Sequence, residues 1–417
     1  MVSTLANSNT DPPSRYTGGM PAAASDMHIK ARWIAPLTGD CALLEHHTLV
    51  MRDGRIAAIV PDEAAAEYAP RVALDRPTHL LIPGLVDAFT RIGSPAGAAA
   101  ADMQFSPDRG LSCIANMLKS GITCFCGVGY FPGESAQAAA SQGMRAVIGL
   151  PVAEQPSPWA QNAGEYLTKA LRLRDEYKGH PTISTRFAPL DLASLDDAAL
   201  ARMGTLAAEL DAGITVSVHP SNWQIDASLN RFGARPLARL ESLGLLTPML
   251  TAAHMARIEV SDFDIAQRSG IGITLCLASS LLHAGALPPI AALAEADMRL
   301  SLGSDTQEFW TEIKLLALHS PQLPPWEVIA AATRGGAAAL GLDAEIGTLE
   351  AGKWADLCCL DLAGPATQPV YDPLRQGIFS GGRDLVSDVW VAGRQLLCDG
   401  QFTRLDWPSL AARLSET

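Results

Sequence analysis

The sequence predicts an α/β fold: a (β/α)8 TIM-type barrel with a discontinuous small β-sandwich domain built from the two ends of the chain. Two observations predict this fold. Eight strand-like segments alternate with Ala- and Leu-rich helical segments through the middle of the 417-residue chain, which is the pattern of a closed parallel barrel. Short strand-like segments with turn signals precede and follow that region, and neither set has enough strands to bury a sheet face alone.

The composition fits a folded protein and limits its partners. Hydrophobic residues make up 48% of the chain and charged residues 18%, which is too apolar for a disordered protein. A formal charge of −13 disfavours the phosphate-neutralising surface that nucleic-acid binding requires. No apolar run approaches the roughly 18 residues of a membrane span. We therefore expect a cytoplasmic protein with no nucleic-acid or membrane partner, and we interpret its eight cysteines as reduced core thiols.

The two ends of the chain are assigned to a tail and a β module. Residues 1–26 are rich in Ser, Pro, Gly, Asn and Ala without apolar periodicity, which predicts a disordered tail. Residues 27–81 contain an alternating run at 29–34 and a hairpin turn at Asp53-Gly54. Residues 343–417 return to short strands, with a turn at Gly393-Arg394. We expect residues 27–81 and 343–417 to form one β-sandwich module beside the barrel.

Residues 82–342 carry the barrel pattern. The strand candidates are residues 85–89, 123–128, 145–150, 183–188, 215–219, 250–254, 272–277 and 299–305. The chemistry of such a barrel lies at the carboxyl ends of its strands. Those ends carry Phe89, His219, His254, Cys276 and Asp305.

Several short motifs occur in the order and at the spacing of a known family. They are Asp53-Gly54-Arg55-Ile56, Leu81-Ile82-Pro83-Gly84-Leu85-Val86-Asp87, Lys119-Ser120-Gly121-Ile122-Thr123, Ala253-His254, Leu302-Gly303-Ser304-Asp305 and the run from Ile346-Gly347-Thr348 to Ala355-Asp356. On these motifs the sequence resembles the amidohydrolase superfamily, in its cytosine deaminase, chlorohydrolase and S-adenosylhomocysteine deaminase branch. The resemblance covers residues 28 to about 400 and implies the barrel and a hydrolase.

The metal-binding pattern of that family is replaced. Members usually follow the Pro-Gly-Leu-Val run with Asn-Ala-His-Thr-His, but this chain has Asp87-Ala88-Phe89-Thr90-Arg91. A phenyl ring has no lone pair and a guanidinium stays protonated, so neither side chain coordinates a cation. The family's third histidine, from a His-x-x-Glu signature, aligns with Ser217. A catalytic zinc needs about three protein ligands. We therefore predict no bound metal and no other cofactor.

The resemblance leaves two candidate catalytic residues. His254 matches the histidine that polarises the substrate carbonyl, and Asp305 matches the aspartate that binds metal and accepts a proton. An isolated histidine at the end of an apolar strand is also a common core residue, so both interpretations of His254 stay open. Arg91 either occupies the place of the metal and neutralises Asp305 or extends into solvent. For His219, a core or supporting position is favoured over ligand binding. The candidate substrate-binding residues are Arg91, Phe89, Ser217, His219, Cys276 and Glu308.

Two functions remain possible at this point. The first is a metal-independent hydrolase of C–N bonds in a small cyclic amide, amidine or N-heterocycle, with His254 as general acid or oxyanion donor and Asp305 as general base. The second is a non-catalytic ligand-binding pseudoenzyme of the same fold. In both, the partner is a small molecule, and a homodimer is left open.

Overall fold

Two eight-stranded sheets organise the computed structural model, which describes residues 23–39, 42–92, 104–305 and 308–416. The strands are β1 (Ala23–Ile34), β2 (Leu44–Arg52), β3 (Arg55–Pro61), β4 (Tyr68–Pro83), β5 (Leu85–Thr90), β6 (Ile122–Gly127), β7 (Arg145–Val152), β8 (Ile183–Pro189), β9 (Ile214–Val218), β10 (Leu250–His254), β11 (Gly272–Leu275), β12 (Arg299–Leu302), β13 (Leu357–Asp361), β14 (Val386–Val391), β15 (Arg394–Cys398) and β16 (Gln401–Phe402).

Most helices lie between the strands of the second sheet. They are α1 (Pro107–Lys119), α2 (Pro132–Gln142), α3 (Ala163–Glu176), α4 (Asp197–Glu209), α5 (Asn222–Phe232), α6 (Pro236–Ser242), α7 (Val260–Ser269), α8 (Leu277–Ala284), α9 (Ile290–Glu295), α10 (Phe309–His319), α11 (Pro325–Ala331), α12 (Arg334–Leu340), α13 (Pro373–Gln376) and α14 (Trp407–Ser415). None of these described helices has the length and apolar character needed to cross a bilayer.

Strands β5 to β12 pair in chain order, all parallel, and form the barrel. The barrel closes where β5 meets the segment after β12, because Asp305 N donates to Phe89 O and Arg91 N donates to Asp305 O, both at 2.9 Å. Gly303 permits this closure, since a Cβ there would lie 2.8 Å from the Cβ of Phe89. Each of the eight predicted strand segments overlaps one observed strand of the barrel, and the predicted barrel is confirmed.

The other sheet takes strands from both ends of the chain, in the order β16-β15-β14-β13-β4-β1-β2-β3. Strand β4 joins the two halves, since it pairs along its length with β1 and at residues 79–83 with β13. The expected sandwich is thus one continuous mixed sheet. Strand β1 begins at Ala23, whereas the sequence assigned residues 23–26 to the tail. The correction has a physical reason: these residues pair with β4 through their backbone, which requires no apolar periodicity. Residues 1–22 of the predicted tail lie outside the described residues.

A buried ion pair connects the barrel to this mixed sheet. Arg145 opens β7, and its Nε and Nη2 donate to the two oxygens of Asp356 at 2.7 and 3.0 Å. Asp356 also accepts a hydrogen bond from the amide of Ala392 at 2.7 Å, in the turn between β14 and β15. Because both side chains are almost fully buried, the pair fixes the start of β7 against the sheet.

Candidate functional site

Four side chains from four strand ends meet at the carboxyl-terminal face of the barrel. They are Arg91 after β5, Ser217 in β9, His254 at the end of β10 and Asp305 after β12. Parallel strands of a barrel all end at the same face, so residues more than 200 positions apart in sequence become neighbours there. We call these four residues the mouth cluster.

Asp305 is the centre of the mouth cluster. Its Oδ1 accepts a hydrogen bond from Arg91 Nε at 2.8 Å, and its Oδ2 accepts one from Ser279 Oγ at 2.7 Å and lies 3.6 Å from His254 Nε2. Burial by itself would raise the pKa of this carboxyl. The contact with His254, the charge of Arg91 and the hydrogen bond from Ser279 outweigh burial, and they hold the pKa of Asp305 well below its usual range. Asp305 is therefore an ionised carboxylate at neutral pH.

His254 connects Asp305 to Ser217. Its Nδ1 lies 3.1 Å from Ser217 Oγ, while its Nε2 faces the carboxylate. The edge of one ring meets the face of the other between Phe89 and His254, with centroids 5.4 Å apart and an interplanar angle of 77°. The backbone of His254 has a left-handed φ of 73°, which turns the chain out of β10. A buried residue held on three sides in this way has a fixed ring orientation.

Arg91 lies at the edge of the mouth cluster. Its side chain is 40% exposed, although its Nε contacts the nearly buried carboxylate. Together with Asp87, Thr90, Ser304 and Asp305 it lines a cavity of about 260 Å³ between the barrel wall and α1. The structure thus brings Arg91 to Asp305 while part of its guanidinium remains accessible.

Phe89 and Cys276 form an apolar layer beneath His254. Both are buried in one cluster with Ala253, Val86 and neighbouring residues. Burial raises the pKa of the Cys276 thiol well above its usual value, with a further contribution from the charge of Asp305. Cys276 is therefore a neutral packing residue in this arrangement.

The structure does not bring His219 or Glu308 to the mouth cluster. His219 is fully buried with Nδ1 3.6 Å from Asp262 of α7, and burial lowers the pKa of His219 to about 4. Strand alternation would place Ser217 and His219 on one face, but β9 ends at Val218 and His219 has a left-handed φ of 50°. The carboxylate of Glu308 caps α10 by accepting from the amides of Trp310 and Thr311 at 3.1 and 2.9 Å.

Sequence reasoning missed three further polar residues beside the cluster. Ser279 binds Asp305 from α8, where no motif marks it. Asp87 is buried in β5 and accepts from the amide and hydroxyl of Ser304 at 3.0 and 2.5 Å. Glu312, buried in α10, accepts from the first amides of α8. Burial raises the pKa of Asp87 to about 7 and that of Glu312 to about 8. An acid inside the otherwise apolar run of residues 85–89 was the available signal for Asp87.

The donor atoms at the strand ends do not fit a divalent metal. Within the described ranges no three His, Cys, Asp or Glu side chains are grouped so that they could hold one. His254 and Asp305 are two potential ligands, but Arg91 occupies Oδ1 of the carboxylate and Ser279 donates to Oδ2. A guanidinium at hydrogen-bonding distance from the carboxylate places a positive charge beside the position that a cation would need.

Comparisons with known proteins agree with this geometry at the level of the fold. The model of the Amidohydrolase family matches residues 80–396. A 5-methylthioadenosine/S-adenosylhomocysteine deaminase of Teredinibacter turnerae is 32% identical over 94% of this chain and 96% of its own length. The enzyme of the same name from Saccharophagus degradans is 30% identical over 92% of this chain and 94% of its own length.

Solved structures give the same assignment. The crystal structure of an adenosine deaminase from Xanthomonas campestris with bound zinc is 30% identical, covers 95% of this chain and 98% of its own, and superposes with a TM-score of 0.89. A triazine hydrolase at 18% identity and a TM-score of 0.84, covering 94% of this chain and 99% of its own, supports the fold alone. With a family model over most of its length and relatives at 30% identity or more, the chain belongs to the amidohydrolase family.

Proposed function

We propose that this protein is a hydrolase of C–N bonds in a small cyclic amide, amidine or N-heterocycle, and that it works without the metal of its relatives. One observation carries the proposal: His254 and the ionised Asp305 lie 3.6 Å apart at the barrel mouth, with Ser217 on the other ring nitrogen. The deaminases that resemble the chain are named for 5-methylthioadenosine, S-adenosylhomocysteine and adenosine, which supports a C–N hydrolase that acts on a small N-heterocycle.

The contacts of Asp305 support different proposed roles for the two candidate residues. Both carboxylate oxygens already accept hydrogen bonds, from Arg91 and Ser279, and the pKa of Asp305 is held low. A carboxylate in this state is a weak proton acceptor. We therefore assign proton transfer to His254 and the orientation of its ring to Asp305, in place of the general-base role expected for Asp305. A positioned histidine contributes roughly 10²- to 10⁴-fold to such a reaction.

Hydrolysis without a metal restricts which substrates the protein can use. Without a metal, the pKa of water is not lowered from about 15.7 toward 7. An unactivated amide would therefore react slowly, and we propose a substrate whose C–N bond is activated by ring strain or by a good leaving group.

A second candidate is a ligand-binding protein without turnover. The observation that favours it is the Arg91–Asp305 ion pair at the strand ends, since it satisfies the carboxylate without any reactive group. In that case the cavity beside Arg91 would bind a small anionic or amide-bearing molecule that is released unchanged.

The test is formation of the ring-opened product from strained lactams and cyclic amidines, and ammonia release from aminated purines, using protein treated with a chelator and checked by elemental analysis. We expect saturable turnover that falls at least about 100-fold in His254→Gln and stays unchanged in His283→Gln, an exposed histidine in the last turn of α8. Turnover that disappears with the chelator and returns with zinc contradicts metal independence. Saturable binding without turnover supports the second candidate.

A further inference from the structure

Ser217 is the most accessible residue of β9. In this strand Ile214, Thr215, Val216 and Val218 are buried, whereas Ser217 is partly exposed and faces His254. A serine at a ligand-like position of a barrel strand end can reach a substrate in the mouth, because the strand ends all open toward it. This partial exposure separates Ser217 from the buried Ser279 and Ser304.

The carboxylate of Asp305 determines which ring nitrogen of His254 accepts a proton. A carboxylate beside Nε2 favours the tautomer with the proton on Nε2, since that N–H then points at the negative charge. Nδ1 is left with its lone pair toward Ser217 Oγ at 3.1 Å. The neutral imidazole is thus arranged to accept the hydroxyl proton of Ser217.

Ser217, His254 and Asp305 have the arrangement of an activated nucleophile. A nucleophile within hydrogen-bonding reach of a base, with the base oriented by a third group, is the arrangement that makes a serine reactive. Here the order is Ser217, His254 and Asp305, and Arg91 and Ser279 hold the carboxylate. An ionised Asp305 at 3.6 Å also stabilises the imidazolium that forms when His254 takes the proton.

We propose that Ser217 is the nucleophile of a covalent, metal-free hydrolysis of activated cyclic amides. This inference rests on the proposed C–N hydrolase function and adds its first step. Ser217 Oγ bonds to the carbonyl carbon while its proton moves to His254 Nδ1. The ring C–N bond then breaks, and the departing nitrogen takes that proton. Water attacks the resulting ester and gives one proton to His254, from which Ser217 recovers it, so the product is the ring-opened amino acid.

A purely structural role for Ser217 predicts something different. As a hydrogen-bond partner that only fixes the imidazole, Ser217 would never carry a covalent group, and its loss would change the position of His254 without removing the reactive atom. Covalent labelling therefore distinguishes the two roles, because it reports on the atom that bonds to the electrophile.

The experiment is incubation of the full-length, chelator-treated protein with a fluorophosphonate, followed by intact-mass measurement and peptide mapping. In this reaction the P–F bond breaks, a P–Oγ bond forms, and the serine proton leaves with fluoride. We expect one adduct per chain, on the peptide that contains Ser217. Labelling should be lost in Ser217→Ala, fall at least about 100-fold in His254→Gln, and stay unchanged in Ser221→Ala, a neighbouring serine outside the mouth cluster.

The His254→Gln variant adds a readout that a structural role of Ser217 would not move, because the labelling rate then depends on the base that takes the serine proton. The absence of an adduct, or an adduct on another serine, overturns the proposal. If turnover of the amide panel persists in that case, the hydrolase function stands and only the nucleophile is wrong. If labelling and turnover are both absent while ligand binding persists, both proposals fail.

Discussion

Arg145 and Asp356 lie where β7 begins, against the mixed sheet, whereas Arg91 and Asp305 lie where β5 and β12 end. Arg145 donates to both oxygens of its partner, and the two side chains are 7% and 2% exposed. Arg91 donates to one oxygen through Nε, and its side chain is 40% exposed. The other oxygen of Asp305 accepts from Ser279 and faces His254.

The difference separates a closed, buried ion pair from one that stays partly accessible at the barrel mouth. In a bidentate, buried pair, two guanidinium nitrogens donate to both carboxylate oxygens, so no position is left for a ligand. The pair at the mouth leaves part of the guanidinium accessible and directs one carboxylate oxygen to a histidine. The same two residue types therefore fix the fold at one end of the barrel and hold a candidate reactive group at the other.

The largest expected effect comes from removing the mixed sheet altogether. We propose that residues 27–81 and 343–417 form one β module, and that the barrel of residues 82–342 depends on it to fold. Expression of residues 82–342 alone should give insoluble protein or a molten state, because Arg145 and the surface around Gly121, which packs on Cys358, lose their partners. Thermal unfolding and near-ultraviolet circular dichroism of the fragment are the measurements. A cooperative transition like that of the whole chain would contradict this arrangement.

The second-largest effect on stability is expected from breaking the buried ion pair between Arg145 and Asp356. Arg145→Met leaves Asp356 as a buried anion whose remaining described partner is the amide of Ala392. Breaking a buried ion pair from one side costs about 3–5 kcal/mol, so the free energy of unfolding should fall by that amount. Arg172→Met, at an exposed position of α3, is the control and should change little. A loss below about 1 kcal/mol would mean that Arg145 does not hold the barrel to the sheet.

A third prediction uses Asp87, a buried acid near the mouth that accepts from Ser304 and from the amide of Phe89. Burial raises the pKa of Asp87 to about 7 from a usual value of 3.8. The folded protein therefore holds a proton that the unfolded chain releases between these values. The stabilisation is complete below about pH 4 and is lost as the pH rises to 7.

Asp87→Asn should remove this part of the pH dependence. Between pH 5 and 7 the free energy of unfolding of the variant should fall less steeply than that of the original protein, by about 1.4 kcal/mol per pH unit. Glu312, with its pKa raised to about 8, and His219, with its pKa lowered to about 4, contribute equally to both proteins and cancel in the difference. Denaturant unfolding at three pH values measures this difference in pH dependence between the two proteins. Asp297→Asn, at an exposed position, is the control. Parallel slopes would show that Asp87 is ionised throughout.

Some of the fold and the site could be predicted from the sequence, and the physical reason differs from part to part. The eight barrel strands are apolar runs between turn signals, so the pattern found them. Ser217, His254 and Asp305 were named because they end such strands or match a family position. The sequence does not indicate Ser279, because a serine inside a helix has no local signature and its partner, Asp305, lies on another element. The position of His219 depends on one left-handed backbone angle, which alternation does not predict.

The smallest expected effect, and the sharpest comparison with Arg145, comes from Arg91. Arg91→Met should lower the free energy of unfolding by only about 1–2 kcal/mol, since exposure screens the pair and Ser279 and His254 still contact Asp305. The double variant Arg91→Met with Asp305→Leu should be more stable than Arg91→Met alone, because no buried carboxylate is left without its cation. Denaturant unfolding of the two single variants and the double variant completes the cycle. Additivity within about 0.5 kcal/mol would show that the two side chains are not coupled. In that case the low pKa of Asp305 would have to come from His254 and Ser279, and the accessible guanidinium of Arg91 would be free to bind a ligand.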